Sequence, residues 1–565
     1  MHRTQKIRSL ADAVIYSAIA IATGFCIAFA GRHGIQVNAD SFAGITLAQS
    51  INTVGGIGLA KFARIPSFVP DLLFIGFIPR EVSVLDIYRI YAIGIGTLFL
   101  ASGAEFIYIS TNKALSRINC LGLAAFTALV FARYSPFYRQ SLGILLSPVH
   151  HGGNILMTIV SGLLYLRLQS EKSNKSKTLT GCIFVVTLIT GILSNRVFLF
   201  TGLAPLALTV LICAKGGGRP RGWYLTALKE NQHKALLFVF LAALSLFLTH
   251  LVYGHLNIQC SPDIELNPEW TIASSLDFTR KHPSLYGAYL SSFLLVYPYS
   301  RRKITIFLES IIQKGSRICQ DSLLAAMTFL SLASASWGSY LFILGEQEIF
   351  QPRYIISGIL LLPFLLLLAI SPIIITFVPT KLRAFALPFT AFLGIATISN
   401  LNGIFSRRQI VFSDDSTSEW IGKHREPSQQ LRNEKAGIIF APFWDVEVGI
   451  YLDRHVTILP VGGNGLPDMW AHGRSLFTKA ITKMETNKNP IFYYSSSSSL
   501  PSGLITAWGI PDEAEKTKDD GTGQEYLILK YTDEAKRSKI LSVLSHKLRT
   551  YSQNCNRQSA LFMER

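Results

Sequence analysis

Asp40 and Asp71 flank the polar stretch that follows the first long apolar run, in Asn38-Ala39-Asp40-Ser41 and Pro66-Ser67-Phe68-Val69-Pro70-Asp71-Leu72. A carboxylate held at the edge of hydrocarbon loses hydration, which raises its proton affinity toward the range useful to a general base. Such a base could take the proton of an acceptor hydroxyl or amine. The plainer account is capping: Asp40 ahead of a helix suggested by Ser41 to Ile51, and Asp71 ahead of the apolar turn that begins at Leu72.

Arg64, Arg196, Arg280, Lys281 and Arg353 lie between apolar runs on the side where the positive-inside rule expects few cations. Anionic headgroup recognition would explain them, because an arginine fork grips phosphate bidentately while the rest of a lipid substrate stays in the bilayer. Arg196 sits in the short hairpin Ser194-Asn195-Arg196, and Arg353-Tyr354 follows the acidic loop Glu346-Gln347-Glu348. Pairing with Glu346, Glu348 or Asp277, or snorkelling, is the competing account. His150 and His151, in Ser147-Pro148-Val149-His150-His151-Gly152-Gly153-Asn154, could meet a metal or a phosphate. Consecutive helical residues point about 100° apart, so such a pair rarely shares one ion, and interfacial anchoring is the alternative. The two glycines admit a ligand or a packed helix. Asp263, Glu265, Glu269 and Asp277 could serve a divalent ion, but no calcium-loop pattern occurs and a solvated acidic loop suits them as well. Metal dependence therefore stays open at this stage.

These residues need elements to hold them. Of 565 residues, 49% are hydrophobic and 16% charged, against about 25% charged in a soluble domain. With 36 Phe and 21 Tyr, and a mean hydropathy of +0.35, the apolar material forms long runs. Eleven are long enough to span with allowance for tilt: 10–30, 84–109, 118–134, 152–168, 178–194, 196–214, 234–252, 282–299, 321–344, 353–378 and 383–405. Arg3, Lys6 and Arg8 precede the first run and no small-residue cleavage site follows it, which predicts an uncleaved helix with a cytoplasmic N-terminus. An odd number of spans then places 406–565 on the far side. Residues 1–405 hold 32 Lys and Arg against 16 Asp and Glu, whereas 406–565 hold 21 against 19, so the basic excess lies in the span-connecting loops. The expected organisation is a polytopic α-helical membrane protein over 1–405, with long outer loops at 31–83 and 253–282, and an extracytoplasmic α/β domain over 406–565. Phe68 to Ile78 is apolar but too short to span and reads as interfacial or re-entrant, and Ile304 to Ile312 as an amphipathic surface helix.

In the tail, apolar runs at 437–441, 445–452, 456–461, 491–494 and 526–531 alternate with helical patterns at 475–486 and 533–551, which predicts a mostly parallel sheet. Ser495 to Ser499 and Asp512 to Gly523 read as loops. Several functions fall away. No Walker loop, GxSxG or HExxH occurs, no repeat is evident, the seven cysteines show no ligand spacing, and no basic stripe with interleaved aromatics suggests nucleic acid.

An inside start, a long first outer loop with an acid soon after the first helix, about eleven spans and an outer α/β tail together resemble the GT-C membrane glycosyltransferases, such as protein O-mannosyltransferases and aminoarabinose transferases. Asp40 is similar by position to that family's first-loop catalytic acid, and Arg353-Tyr354 resembles the Arg-Tyr that often opens a late span there. Ser41 stands where many members have the second residue of an Asp-Glu pair, and the Trp-Trp-Asp signature of oligosaccharyltransferases is absent. The resemblance implies an enzyme of a bacterial inner membrane that moves a sugar from a polyprenyl-phosphate carrier to a glycan, lipid or protein acceptor on the outer face. Asp40 would act as base, with Asp71 as a second candidate acid, and Arg353, Tyr354, Arg196, Arg280, Lys281 and Arg64 would meet the carrier phosphate. The donor is a lipid-linked sugar, and a divalent ion at Asp71, His150 or the 263 region is an open alternative. A lipid-linked sugar flippase, or an envelope scaffold whose tail binds a protein, are the other readings.

Overall fold

The computed structural model describes residues 2–31, 68–79, 82, 84–147, 152–171, 173–195, 197–213, 232–255, 283–311, 317–339, 358–379, 382, 425–442, 445, 456–467, 474–486, 489–518, 523 and 525–563. The chain divides into one unit of Met1–Ile35, Arg89–Thr249 and Ile264–Val411, and a second of Gln36–Tyr88, His250–Asp263 and Phe412–Arg565.

The first unit is helical because an apolar run away from water must satisfy its own backbone groups. Its helices are α1 (His2–Gly31), α2 (Val84–Ser110, whose first residues belong to the second unit), α3 (Arg117–Tyr134), α4 (Pro136–Leu145), α5 (Gly152–Ser170), α6 (Asn174–Ser194), α7 (Ala204–Ile212, entered through a π-helical turn, Leu199–Leu203), α8 (Gln232–His255), α9 (Pro283–Val296), α10 (Pro298–Ile311), α11 (Arg317–Ser339) and α12 (Leu362–Phe377). Three stretches, Asp12–Ala30, Asp86–Ser110 and Asn174–Ser194, are long and apolar enough to cross a bilayer by length and composition. Shorter apolar stretches are Leu199–Ile212, Leu236–Val252, Asp321–Ser336 and Leu362–Phe377. The chain is a membrane protein. The last expected span, 383–405, lies outside the described residues.

Two boundaries depart from the sequence reading. The apolar run 282–299 is broken, since α9 stops at Val296 and Pro298, which has no N–H to donate backward, opens α10. Between α3 and α5 lies the further helix α4, capped by the Ser135 hydroxyl, which accepts the Tyr138 N–H at 3.1 Å, and started by Pro136. Interhelical packing relies on glycine where rings intrude. A Cβ on Gly162 of α5 would fall 2.2 Å from the Phe329 ring of α11, which also meets Phe106 at 6.1 Å. In α12, Pro372 cannot donate to the Leu368 carbonyl, and the Ser371 hydroxyl donates to it instead at 2.9 Å.

In the second unit the C-terminal region holds α13 (Arg425–Asn433), β1 (Ile438–Ala441), β2 (Thr457–Pro460), α14 (Arg474–Thr486), β3 (Ile491–Ser495), α15 (Ser502–Trp508), β4 (Glu513–Lys518), β5 (Glu525–Tyr531) and α16 (Glu534–Met563). The expected mostly parallel sheet is instead mixed, in the order β2-β1-β3-β5-β4. β1 runs parallel to β2 and β3, whereas β5 is antiparallel to β3 and β4. The stretch expected to be a loop from Asp512 contains β4, whose six residues are exposed or half-buried and which forms an edge of the sheet. Its Glu-Ala-Glu-Lys-Thr-Lys carries no apolar alternation, so pairing with β5 rather than burial makes it a strand. The core joins Phe440, Leu459, Phe477, Tyr493, Leu527, Leu529, Tyr531 and Leu544 around Trp508. Trp508 meets Phe440, Tyr493 and Tyr531 edge-on, and its indole N–H donates to the Gly465 carbonyl at 2.9 Å. Gly465 has φ +70°, and a Cβ there would lie 2.6 Å from the indole nitrogen, so glycine serves both needs.

Candidate functional site

Of the residues singled out by sequence, Asp71 is described, and it lies in the second unit. Asp40, Arg64, His150, His151, Arg196, Arg280, Lys281, Arg353 and Tyr354 lie outside the described residues, as do Asp263, Glu265, Glu269 and Asp277.

Asp71 belongs to a π-helical turn, Phe68–Leu72, that continues into the α-helical turn Leu73–Gly76. Val69 is extended (φ −128°, ψ 130°), so helical backbone begins at Pro70. The Val69–Pro70 peptide is cis. Proline suits a first helical position, where its missing N–H would have no intrahelical partner, and an acid in the first turn is favoured by the exposed amide dipoles. Asp71 therefore stands inside the helical run. The residue at the cap of Leu73–Gly76 is Leu72, whose side chain makes no capping hydrogen bond, and Asp71 lies one position before it.

The two faces of this short segment differ. Pro70, Asp71, Leu72 and Ile75 point inward, with Asp71 only 3% exposed, while Leu73 and Phe77 point outward, Phe77 being 79% exposed. The segment thus has an apolar outer face at Leu73 and Phe77 and a carboxylate on its inner face. Inward placement removes most water from the carboxylate.

The flanks of other candidates are informative. At the hairpin that carries Arg196, the Asn195 side chain is buried and its Oδ1 accepts the Val197 N–H at 3.0 Å, while its carbonyl accepts the Phe198 N–H at 2.9 Å. This Asx turn fixes the chain on both sides of position 196. After the His150-His151 pair, a Cβ on Gly152 would come 2.8 Å from the Leu145 carbonyl, so the first glycine serves the close seating of α5 on α4.

Sequence reasoning missed two polar clusters. Arg117 of α3 binds Glu105 of α2 bidentately, at 2.8 and 3.0 Å, with its guanidinium 4.7 Å over the Tyr108 ring. Glu105 is a carboxylate within an apolar run, and its partner lies twelve positions away across a turn. In the C-terminal domain, Asp445 after β1 is buried and reaches the loop after β3. It accepts the Ser496 N–H at 2.9 Å, the Ser496 hydroxyl at 2.6 Å and the Ser495 hydroxyl at 3.5 Å. The serine run expected to be a loose loop is thus pinned at its start. Burial, with the Asp445 charge beside it, pushes the Tyr493 phenol above its ordinary range. Because β2 and β3 flank β1 on opposite sides, this junction is the point where the strand order reverses. Among the described residues no group of three His, Cys, Asp or Glu is placed to hold a metal ion.

No family model matches this chain, and no curated protein matches it. Among solved structures it is similar to ArnT from Cupriavidus metallidurans. The form bound to undecaprenyl phosphate aligns at 12% identity over 93% of this chain and 99% of that one, with a TM-score of 0.43. The apo form aligns at 12% identity over 95% of this chain and 99% of that one, with a TM-score of 0.44.

Proposed function

We propose that this chain is a membrane glycosyltransferase of the GT-C kind, taking a sugar from a polyprenyl-phosphate carrier and passing it to a cell-envelope acceptor on the outer face of the inner membrane. The observation that carries the reading is Asp71: a carboxylate turned inward and almost out of water, on a short helical segment whose other face is apolar. A carboxylate in that position suits a reaction in which a lipid-borne donor arrives along the membrane and a polar acceptor arrives from solution.

In the proposed reaction an acceptor hydroxyl or amine attacks the anomeric carbon, the bond from that carbon to the phosphate oxygen breaks, and the polyprenyl phosphate leaves with the electron pair. Asp40 takes the acceptor proton, and Asp71 supplies the second carboxylate of the same loop. Arg353, with Tyr354, and the cations Arg64, Arg196, Arg280 and Lys281 offset the charge that grows on the leaving phosphate. The substitution inverts the anomeric centre.

The test uses the full chain in lipid with labelled polyprenyl-phosphate sugar. Wild type should release the sugar to acceptor, Asp40→Asn should abolish release with expression intact, and Asp71→Asn should lower it about a hundredfold or more. Movement of intact donor across the bilayer without cleavage would favour the flippase reading. Full release by Asp40→Asn would remove that residue from the mechanism.

A further inference from the structure

The helix α10 is held on one face and open on the other. On its inner face the Arg301 guanidinium donates to the Leu295 carbonyl at 2.9 Å, to the Thr328 hydroxyl at 3.0 Å and to the Cys213 sulfur at 3.2 Å. Leu308 is buried two turns later, and the Ile311 carbonyl at the last residue accepts the Thr376 hydroxyl at 3.0 Å. Fixed at both ends to α9, α11 and α12, α10 presents a defined outer face.

That face suits neither water nor hydrocarbon alone. Ile306 and Phe307 are 50% and 59% exposed, and Arg302 and Lys303, one turn earlier, are exposed beside Tyr299, which is 64% exposed. Positions 299, 303, 306 and 307 fall on one helical stripe. The Lys303 ammonium stands 5.6 Å over the Tyr299 ring, and Phe293 and Tyr297, stacked at 5.4 Å, extend the aromatic border. Among the described residues no carboxylate forms an ion pair with Arg302 or Lys303. Two cations with no ion pair among the described residues, beside tyrosines and one turn from an exposed Ile-Phe pair, match the depth profile of a phospholipid: phosphate, then interface, then acyl chain.

We propose that the outer face of α10 is a docking site for an anionic phospholipid, with Arg302 and Lys303 on the headgroup phosphate and Ile306 and Phe307 among the acyl chains. Charge selects this occupant, since a zwitterionic headgroup would leave the pair of cations uncompensated. The site makes no use of Asp40, Asp71 or the outer cations, so it stands or falls apart from sugar transfer.

The full chain is to be reconstituted in nanodiscs of phosphatidylcholine with a minor share of phosphatidylglycerol, then moved to mild detergent, and the retained lipids counted by native mass spectrometry. Wild type should retain phosphatidylglycerol enriched over its share in the disc. Arg302→Gln with Lys303→Gln should cut that enrichment roughly tenfold, and raising the salt concentration should weaken it. The conservative pair Arg302→Lys with Lys303→Arg should keep it, which guards against loss through misfolding. Ile306→Ser with Phe307→Ser should reduce retention of both lipids. Enrichment unchanged in the glutamine pair, retention in proportion to the disc composition, or a protein rather than lipid bound at this face would overturn the proposal.

Discussion

The helical unit and the α/β domain differ in what they turn outward and in how many hydroxyls they bury. In the helical unit Val239 is 65% exposed and Leu236, Phe240 and Phe247 are also turned outward, while Thr158, Ser161, Thr209, Ser245 and Thr328 are fully buried. The buried hydroxyls donate back along their own helices: Thr158 to the Asn154 carbonyl at 2.8 Å, Thr209 to Pro205 at 2.7 Å and Thr328 to Leu324 at 2.7 Å. In the α/β domain the rings and leucines turn inward around Trp508, while Lys530 stands at the surface between Glu434 and Glu513, at 2.9 and 3.1 Å, which raises its ammonium above the ordinary value. The difference teaches that the two units answer to two solvents. Where lipid surrounds the outside, apolar burial no longer distinguishes inside from outside, and close fit with small or internally bonded side chains takes over. Where water surrounds it, area removed from water does the work.

The largest effect that would break this comparison is Trp508→Ala. It empties the centre of the sheet domain and strands the Gly465 carbonyl, at a cost of about 3–5 kcal/mol. Calorimetry of the full chain should show an early transition assignable to the domain by protease cleavage within 425–563, and an unchanged melt would mean that the core is not organised around this residue. Next comes Gly162→Ala, for which only fit matters: the added methyl meets the Phe329 ring, and the helical unit should lose about 1–3 kcal/mol in detergent melts. Trimming the ring by Phe329→Leu in the same chain should restore part of the loss. An equal penalty with and without the ring would show that contact with Phe329 is not its cause.

The smallest effect concerns charge at the domain surface. The Lys536 ammonium, with the Asp533 and Thr532 amide groups, holds the Asp512 carboxyl well below the usual carboxylate range. A carboxyl more acidic in the folded chain than in the unfolded one contributes stability above its unfolded pKa of about 4 and loses it as the pH falls through the folded value. Hydrogen exchange at the start of α16, taken relative to the intrinsic amide rate at each pH, should therefore quicken in acid below about pH 4 in wild type. Asp512→Asn should quicken it at neutral pH by an amount worth under about 1 kcal/mol and remove the acid dependence. Identical exchange profiles for the two chains would disprove this role.

Much of the architecture was legible because its signals are local. Long apolar runs became α1, α2, α6 and α8, and the short apolar runs of the tail became β1, β2, β3 and β5. What escaped depends on distant neighbours. β4 is a strand because β5 pairs with it, and nothing in Glu-Ala-Glu-Lys-Thr-Lys announces the pairing. The direction of β5 against β3 follows from where the chain crosses, not from side-chain alternation. Asp445 and Ser496 lie 51 positions apart, and only the adjacency of β1 and β3 joins them. At the candidate site, sequence identified Asp71 as an acid at an apolar boundary, but its inward turn follows from the helical start at Pro70, which puts Asp71 and Leu73 on different faces.

The outermost strand of the sheet has one more implication. A chain tied to a bilayer collides with its own copies in a plane, far more often than the same number of molecules would in bulk. An uncovered sheet border under those conditions invites one copy to zip onto the next. The two glutamates and two lysines of β4 oppose such zipping, since each approach must strip water from charged side chains. That border thus doubles as a guard against filament growth.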